Sequence, residues 1–445
     1  MGLIEMGSLF GFQPAKWFQG ANPAQISTAL LLLPLFLHAS TVISNTELNP
    51  YDATRYVVLV SLAFTSLYLA FQIPRVVVSP LQLLGLVTAV TLITLSLITN
   101  YSNSIRLEAV ILLGFILFGL QYHHALCTFG TQGVTTIIAS SMVAATLLYT
   151  THAVAMILPH CLFDKECLFL GTGSMGFENR RMYNDVQVLI IPALLWLMIE
   201  AKRRRVAAFL GLLAALQLTH LFITYGRAAM LGIALGLGII WMSQKWTARH
   251  YWRLLSTISG AVGLFALLVF LDDAPSTYST SLRTSDSGRL ELWLAAVQGG
   301  LNAPLLGQGP GSFASAGFKV ATAHNVFLGA LHDYGLVFAF LCIAFVIYAL
   351  FRLDPASKPL LTLFSFSMLS TWLLTNGSYP LTTVFSLIIL SLLTATKRSV
   401  ERPAYAVPSF SFVAAMAAVV VMAILDPPSV HEGPLRPRIW LETPR

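Results

Sequence analysis

Charge is scarce in this sequence. Of its 445 residues only 10% are charged and 56% are hydrophobic, and the mean hydropathy is +0.75. Soluble domains carry about 25% charged residues, so this composition excludes a soluble globular protein. The net charge of +7 does not indicate nucleic-acid binding, because the basic residues are scattered in short loops between hydrophobic segments. No nucleic-acid partner is expected.

Cysteines and metal-binding patterns are also few. The four cysteines match neither a zinc site nor a redox motif. No His-x-x-Glu pair and no Ser-His-Asp arrangement is apparent, and the glycine run at residues 307–311 lacks the Gly-Lys-Ser/Thr of a nucleotide-binding loop. The sequence therefore predicts no metal and no cofactor, and it predicts that the glycine run is a connector.

Apolar segments make up most of the chain. About 20 apolar residues span a membrane, and the hydropathy pattern predicts about thirteen spans. They cover residues 26–44, 54–72, 80–99, 106–122, 133–158, 186–201, 205–223, 228–243, 254–271, 324–351, 359–376, 381–396 and 407–425. The predicted fold class is an all-α polytopic membrane protein with about 12–13 transmembrane helices.

One long polar stretch, residues 272–323, divides the predicted spans. We expect N-terminal helices at 1–176, helices with outer-face arginines at 177–271, this large loop, and C-terminal helices with the tail at 324–445. Within the loop, Arg289 begins a segment whose apolar residues recur at helical spacing. The expected apolar face consists of Leu290, Leu292, Trp293, Ala296 and Val297. A short amphipathic helix is therefore predicted, which lies on the membrane surface or caps the cavity.

Basic residues set the expected orientation, because Lys and Arg concentrate in cytoplasmic loops. Alternate loops carry most of them, including Lys202–Arg205 and Lys245–Arg253, and these loops are predicted to be cytoplasmic. The large loop then faces the outside. Cys161 and Cys167 share another outer loop and can form a disulfide if that side is oxidising. Cys127 is predicted in a cytoplasmic loop.

Several cations remain on the outer side, where the orientation bias disfavours them. Six of them fall in three segments: Arg180, Arg181, Arg227, Arg283, Arg289 and Lys319. Such cations suit a polyanion at the membrane surface, for example a lipid diphosphate. The alternative for Arg180 and Arg181 is an interfacial collar of polar residues with an aromatic belt, in which Glu178 or Asp185 pairs with them. For Arg227 it is contact with lipid head groups, and for Arg289 it is pairing with Asp286 or Glu291.

His324 and Asn325 stand where the large loop meets the next span. Ionisable groups in such places are functional candidates. An imidazole titrates near neutrality and can take a proton from an attacking hydroxyl. His332, about two turns further along the same span, is the alternative histidine.

These segments together resemble the O-antigen ligase and polymerase superfamily of bacterial membrane glycosyltransferases. The similarity covers roughly residues 177–340. Its motifs are Asn-Arg-Arg-x-Tyr-Asn before a span, an arginine turn between two spans, GRLELW, PLLGQGPGSF and AHNVFLGALHDYG. Two departures stand out, since Gly226 replaces the usual serine and Asp333 the common glutamate. The large loop is also short for this family.

The resemblance implies an outer-face cavity for a glycan linked to undecaprenyl diphosphate. Carried over residue by residue, it assigns His324, Arg289 and Arg227 to catalysis. It also implies that Arg181 (or Arg180) holds the substrate. Asn325, Arg283 and Lys319 are predicted to bind substrate because they lie on the same outer side. The expected partners are the lipid-linked donor, lipid A–core or another glycan acceptor, and membrane lipids.

The predicted function is an inverting, metal-independent transfer of the glycan to an acceptor hydroxyl at the periplasmic face of the bacterial inner membrane. A ligase with lipid A–core as acceptor is favoured. A polymerase or a protein O-oligosaccharyltransferase would share this chemistry and differ only in the acceptor. A lipid-linked glycan transporter or flippase is the alternative of another class, and it would show charges midway in helices and a duplicated pattern. A signalling or structural membrane protein is a third possibility.

Overall fold

Helices account for nearly all of the described chain. The computed structural model describes residues 21–40, 50–99, 103–164, 182–224, 226–244, 246–272, 288–310, 312–315, 323–355, 358–374, 380–395 and 405–425. The helices of these ranges are α1 (Pro23–Ala39), α2 (Pro50–Gln72), α3 (Pro80–Thr99), α4 (Asn103–Phe129), α5 (Val134–Pro159), α6 (Met182–Glu200), α7 (Arg204–Ile223), α8 (Arg227–Ser243), α9 (Ala248–Leu271), α10 (Arg289–Asn302), α11 (Val326–Phe351), α12 (Pro359–Leu374), α13 (Pro380–Thr394) and α14 (Ser409–Leu425). The described ranges also contain two strands, β1 (Arg75–Val78) and β2 (Tyr405–Pro408), a π-helical turn (His160–Asp164) and a 3-10 turn (Ser312–Ser315).

Each predicted span corresponds to one of these helices, and the remaining helix, α10, is the one predicted in the large loop. Among the described residues, seven helices are long and apolar enough to cross a membrane, and six more are apolar but shorter. The prediction of an all-α polytopic membrane protein is confirmed. The outer location of the large loop stays a prediction.

The expectation that Cys127 lies in a loop is wrong. Helix α4 continues to Phe129, and Cys127 is buried within it. The hydropathy pattern ends early because polar residues interrupt it. The structure gives these residues partners: Gln121 accepts a hydrogen bond from the Ser66 hydroxyl (2.6 Å), and His123 Nδ1 lies 3.2 Å from the hydroxyl of Thr394.

The chain forms two compact units, each assembled from separated stretches. Unit 1 consists of Met1–Ala53, Phe129–Tyr278 and Asp354–Ser367, and unit 2 of Thr54–Thr128, Ser279–Leu353 and Met368–Arg445. Because segments from distant parts of the sequence enter each unit, this division differs from the four consecutive regions into which the sequence was divided.

Helix α6 is the centre of unit 1. After Gln187 its residues are apolar on every side as far as Glu200, and Val186, Leu189 and Ile190 are among the many that are fully buried. A helix that is hydrophobic all round belongs in an interior. Helix α9 is the opposite case, since only Thr257 and Ala261 of its residues are buried, which leaves most of its apolar surface available to lipid.

Two predicted cytoplasmic loops meet at one end of unit 1. Arg253 donates to the carbonyls of Met198 (2.8 Å), Ile199 (2.7 Å) and Ala201 (2.9 Å), at the end of α6. Arg249 donates to Ala201 (2.8 Å) and to the following carbonyl (3.0 Å). Guanidinium groups here satisfy orphan carbonyls and complement the negative end of the helix dipole. Placing both loops on one side agrees with the predicted orientation.

Unit 2 contains a small antiparallel sheet that the sequence did not predict. Strand β1 pairs with β2 in the register Arg75↔Pro408 to Val78↔Tyr405. The first residue of α14, Ser409, extends the pairing: its N–H donates to the Pro74 carbonyl (3.0 Å), and its hydroxyl donates to the carbonyl of Ile73. The sheet therefore ties the start of α14 to the connection between α2 and α3.

We expect Arg253→Ala to destabilise the protein by about 1–3 kcal/mol, the range for lost hydrogen bonds to a charged group. Arg205→Ala is the matched control, because this exposed arginine of the same basic surface forms no hydrogen bond with any described residue. Thermal unfolding of the purified proteins in detergent measures the difference. Equal melting temperatures for the two variants would show that the Arg253 contacts contribute little.

Candidate functional site

The turn between α7 and α8 lies at the end of unit 1 opposite these basic loops. Gly226 precedes α8, and Arg227 is its first residue, with an exposed side chain. The Thr224 hydroxyl donates to Oδ1 of Asn184 (2.6 Å), in the first turn of α6. The structure thus joins the arginine turn to the end of the Asn-Arg-Arg-x-Tyr-Asn motif.

Close packing explains the glycine at this turn. A Cβ at Gly226 would lie 2.2 Å from Cδ1 of Leu221 and 3.1 Å from Cγ of Asn184. Leu221 is fully buried, so even a small side chain such as serine would require it to move. The departure from the family's usual serine therefore matches the packing of this chain.

A buried polar network lies one to two helical turns from the end of α7 that leads to Arg227, towards the middle of that helix. Gln217 of α7 is its centre: its Oε1 accepts from the Tyr183 hydroxyl (2.8 Å) and from Nε2 of Gln187 (3.0 Å), and its Nε2 donates to the Thr150 hydroxyl (3.0 Å). Hydrogen bonds between helices satisfy polar groups that lipid cannot. This network fixes α5, α6 and α7 to one another beneath the turn.

In unit 2, α10 and the first part of α11 run parallel. Leu292 and Ala296 of α10 pack with Ala323 and Leu328 at the start of α11. Further along, Gly300 approaches Leu331 so closely that a Cβ would lie 2.6 Å from its Cγ. Parallel helices have their first residues at the same end. Arg289, which begins α10, and His324, just before α11, are therefore brought to one end of this pair.

The helix predicted to open at Arg289 is confirmed, but its buried face differs from the expected one. Leu292, Ala296 and Gly300 are buried, whereas Leu290 is 58% exposed. Leu294 and Leu301 are exposed as well. Exposed leucines on a helix that packs by its other face suit a position at the membrane surface.

His324 lies outside the helix in which the sequence placed it. Helix α11 begins at Val326, and Asn325 is its N-cap, with Oδ1 accepting from the N–H groups of Phe327 and Leu328 (both 3.0 Å). His324 has a φ of 51°, and among the described residues no other non-glycine residue has a positive φ. Such conformations cost about 1–3 kcal/mol and concentrate at functional sites.

Helix α11 is broken at Gly335, and hydrogen bonds at this break connect the helix to the large loop. Gly335 has φ 82° and ψ −179°, which interrupts the helix. The carbonyls of His332 and Asp333 accept instead from the N–H groups of Gln308 (2.7 Å) and Gly309 (3.1 Å) in the large loop. The N–H of the residue after Gly335 donates to the carbonyl of Pro304 (2.7 Å). The glycine run is thus part of the helix break rather than only a connector.

Both segments of this pairing require glycine. A Cβ at Gly307 would lie 2.4 Å from the carbonyl carbon of Asp333, and one at Gly335 would lie 2.7 Å from that of Leu305. Both residues also have a positive φ, which only glycine adopts without cost.

His332, the alternative histidine, is buried in the packing of α10 on α11. It is 5% exposed, its Nδ1 lies 3.0 Å from Oδ1 of Asp333 and 3.3 Å from the hydroxyl of Ser312, and its ring meets Phe313 edge to face. A Cβ at Gly299 would be 2.6 Å from its Nε2. These contacts hold His332 within the packing of α10 on α11, whereas His324 lies at the start of α11. His324 stays the predicted base.

The structure describes only some of the predicted site residues. Arg227 belongs to unit 1, while Arg289, His324 and Asn325 belong to unit 2. The other predicted residues lie outside the described ranges: Arg180, Arg181, Arg283 and Lys319. Within the described ranges, no group of three or more His, Cys, Asp or Glu side chains forms a metal site. Cys161 is disulfide-bonded, whereas Cys127 and Cys342 are free.

We expect Gly335→Ala to lower stability by at least about 1–3 kcal/mol, the cost of a strained backbone conformation, with the clash against Leu305 added. Gly329→Ala is the control on the same helix, because a Cβ there meets nothing within 4 Å. Alanine is the better helix former, so this control should leave stability unchanged or slightly raised. Thermal unfolding compares them, and an unaffected Gly335→Ala would disprove the requirement for glycine.

Comparison with known proteins identifies the region just described. A search among curated proteins finds no significant match. A family model described as O-antigen ligase matches residues 212–344. The match runs from α7 into α11 and includes the Arg227 turn, α10 and the break at Gly335. Over these residues, the match supports the resemblance to the O-antigen ligase and polymerase superfamily of membrane glycosyltransferases.

Proposed function

We propose that the protein is an O-antigen ligase. It transfers a glycan from undecaprenyl diphosphate to a hydroxyl of lipid A–core at the periplasmic face of the bacterial inner membrane. The observation that carries this proposal is the family match over residues 212–344, which contains Arg227, Arg289 and His324. The disulfide at Cys161 supports an oxidising compartment at that end of α5.

The parallel arrangement of α10 and α11 supports the choice of an anionic donor. Both helices direct their N-terminal, positive ends to the end of the pair where Arg289 and His324 lie. Helix N-termini together with a guanidinium group favour phosphate oxygens. A lipid diphosphate at this end would be stabilised by charges that are already in place.

The proposed chemistry is a single displacement at the anomeric carbon. His324 accepts the proton of the acceptor hydroxyl as that oxygen forms the new glycosidic bond. The bond from the anomeric carbon to the phosphate oxygen breaks, and undecaprenyl diphosphate leaves with its electron pair. Arg289 stabilises the negative charge that develops on the diphosphate. The resemblance assigns Arg227 to catalysis as well, and that assignment stays a prediction. One displacement inverts the anomeric configuration.

Arg289→Ala should lower the transfer rate about a hundred- to thousand-fold, the usual loss when one donor to a developing anion is removed. The assay uses purified protein, an undecaprenyl-diphosphate oligosaccharide and lipid A–core. Gln298→Ala, on an exposed position of the same helix, is the control and should retain activity. Near-normal transfer by Arg289→Ala would remove this residue from the site.

His324→Asn is the sharper test of the base. Asparagine tolerates the left-handed backbone that His324 adopts, so this variant removes the imidazole with little strain, whereas alanine would add a backbone cost. We expect transfer to be abolished with an unchanged melting temperature.

In the wild-type assay, longer chains on the donor lipid would identify a polymerase instead. No product with intact protein would favour a protein acceptor or a transporter.

Metal independence is tested by chelation. We expect the transfer rate to be the same with and without EDTA, because arginine side chains and not a divalent ion neutralise the diphosphate. A loss of activity that a divalent ion restores would contradict this part of the proposal.

A further inference from the structure

A basic surface lies at the end of unit 1 where the connection from α6 to α7 meets the start of α9. Arg249 and Arg253 of α9 hydrogen-bond to carbonyls at the end of α6 and in this connection. The connection and the first turn of α7 carry four further cations, all exposed, which form the α6–α7 basic cluster: Lys202, Arg203, Arg204 and Arg205. None of these four side chains has a hydrogen bond or an ion pair with a described residue. The cluster is therefore open to a ligand.

The charge of the cluster is not balanced by acidic residues nearby in the sequence. Glu200 is the only acidic residue between positions 186 and 271. Arg203 is the N-cap of α7, and the first turn that follows it contains arginines but no acidic residue. Because the positive end of a helix dipole disfavours cations, the four charges repel both one another and the helix. A bound anion would relieve both repulsions.

Aromatic side chains indicate the depth at which this surface lies. Tyr251 and Trp252 stand between Arg249 and Arg253 on α9, and both are exposed. The indole N–H of Trp241, which is exposed at the end of α8, donates to the Tyr251 hydroxyl (2.6 Å). Trp and Tyr concentrate where a membrane meets water, and the phosphates of phospholipids lie at that depth. The anion available to the cluster is therefore a lipid phosphate, in the cytoplasmic leaflet of the predicted orientation.

We propose that the α6–α7 basic cluster binds the phosphate groups of anionic phospholipids. Three of its four cations are arginines, and a guanidinium group can contact two phosphate oxygens at once. Diphosphatidylglycerol carries two phosphates, so it can contact more of these cations than a lipid with one phosphate, and it is the ligand used in the test. Binding stabilises the folded state of unit 1. The inference does not depend on the transfer reaction.

The test measures lipid affinity in an uncharged background. Purified protein in neutral detergent micelles is titrated with diphosphatidylglycerol, and native mass spectrometry gives the dissociation constant of the first bound lipid. One double variant, Arg204→Gln with Arg205→Gln, removes two cations of the cluster. The control, Arg75→Gln with Lys358→Gln, removes two exposed cations elsewhere on the predicted cytoplasmic side. We expect the cluster variant to bind about thirtyfold more weakly, the effect of two cations near a membrane surface, and the control to bind like wild type.

Thermal unfolding gives a second measure, because a ligand that binds only the folded state raises the melting temperature. Without lipid, the cluster variant should melt no lower than wild type, since it loses no hydrogen bond to a described residue. Diphosphatidylglycerol should raise the melting temperature of wild type and of the control by the same amount, and that of the cluster variant much less. Phosphatidylcholine, which has no net charge, should raise none of them.

Three outcomes would overturn the inference. An equal loss of affinity in the two double variants would show general attraction to a cationic protein, and an unchanged affinity in the cluster variant would place the lipid elsewhere. Sodium pyrophosphate supplies the anion without acyl chains, so a rise in melting temperature equal to that with the lipid would show a site for free phosphate instead.

Discussion

Backbone hydrogen bonding at the break in α11 is the constraint on which the described part of unit 2 depends. A helix at membrane depth cannot leave N–H and C=O groups unpaired. Gly335 interrupts the helix, and the segment from Pro304 to Gly309 supplies the missing partners. Because Gly307 and Gly335 each pack a backbone against a backbone, the loop and the helix behave as one element, although the sequence separates them.

This pairing determines where the proposed reaction takes place. It anchors the end of α10 to the middle of α11, and the small residues Ala296 and Gly300 allow the two helices to approach closely over the remaining length. Arg289 and His324 therefore lie at the same end of the α10–α11 pair, and this placement does not depend on a direct bond between them.

The sequence predicted the helices and the helix start that hydropathy and turn residues indicate. Thirteen apolar segments correspond to thirteen helices, and Arg289 begins a helix as expected. The helix break was missed because Gly335 lies inside the span predicted at 324–351 and because pairing between backbones leaves no side-chain pattern. Gln217 was missed for a related reason, since one polar residue within an apolar helix does not reveal its partners. The four-residue strands are too short and too distant in the chain to be recognised. Arg180, Arg181, Arg283 and Lys319, outside the described residues, stay predictions.

The sheet formed by β1 and β2 has a consequence for biogenesis. Strand β1 follows α2, and its partner β2 directly precedes α14. During synthesis, the amide and carbonyl groups of β1 stay hydrated or bound by a chaperone until β2, more than 300 residues later, has left the ribosome. Helices α2 and α3 are therefore inserted long before their connection reaches its final structure. Quality control that detects an unpaired β1 would recognise chains whose synthesis stopped early.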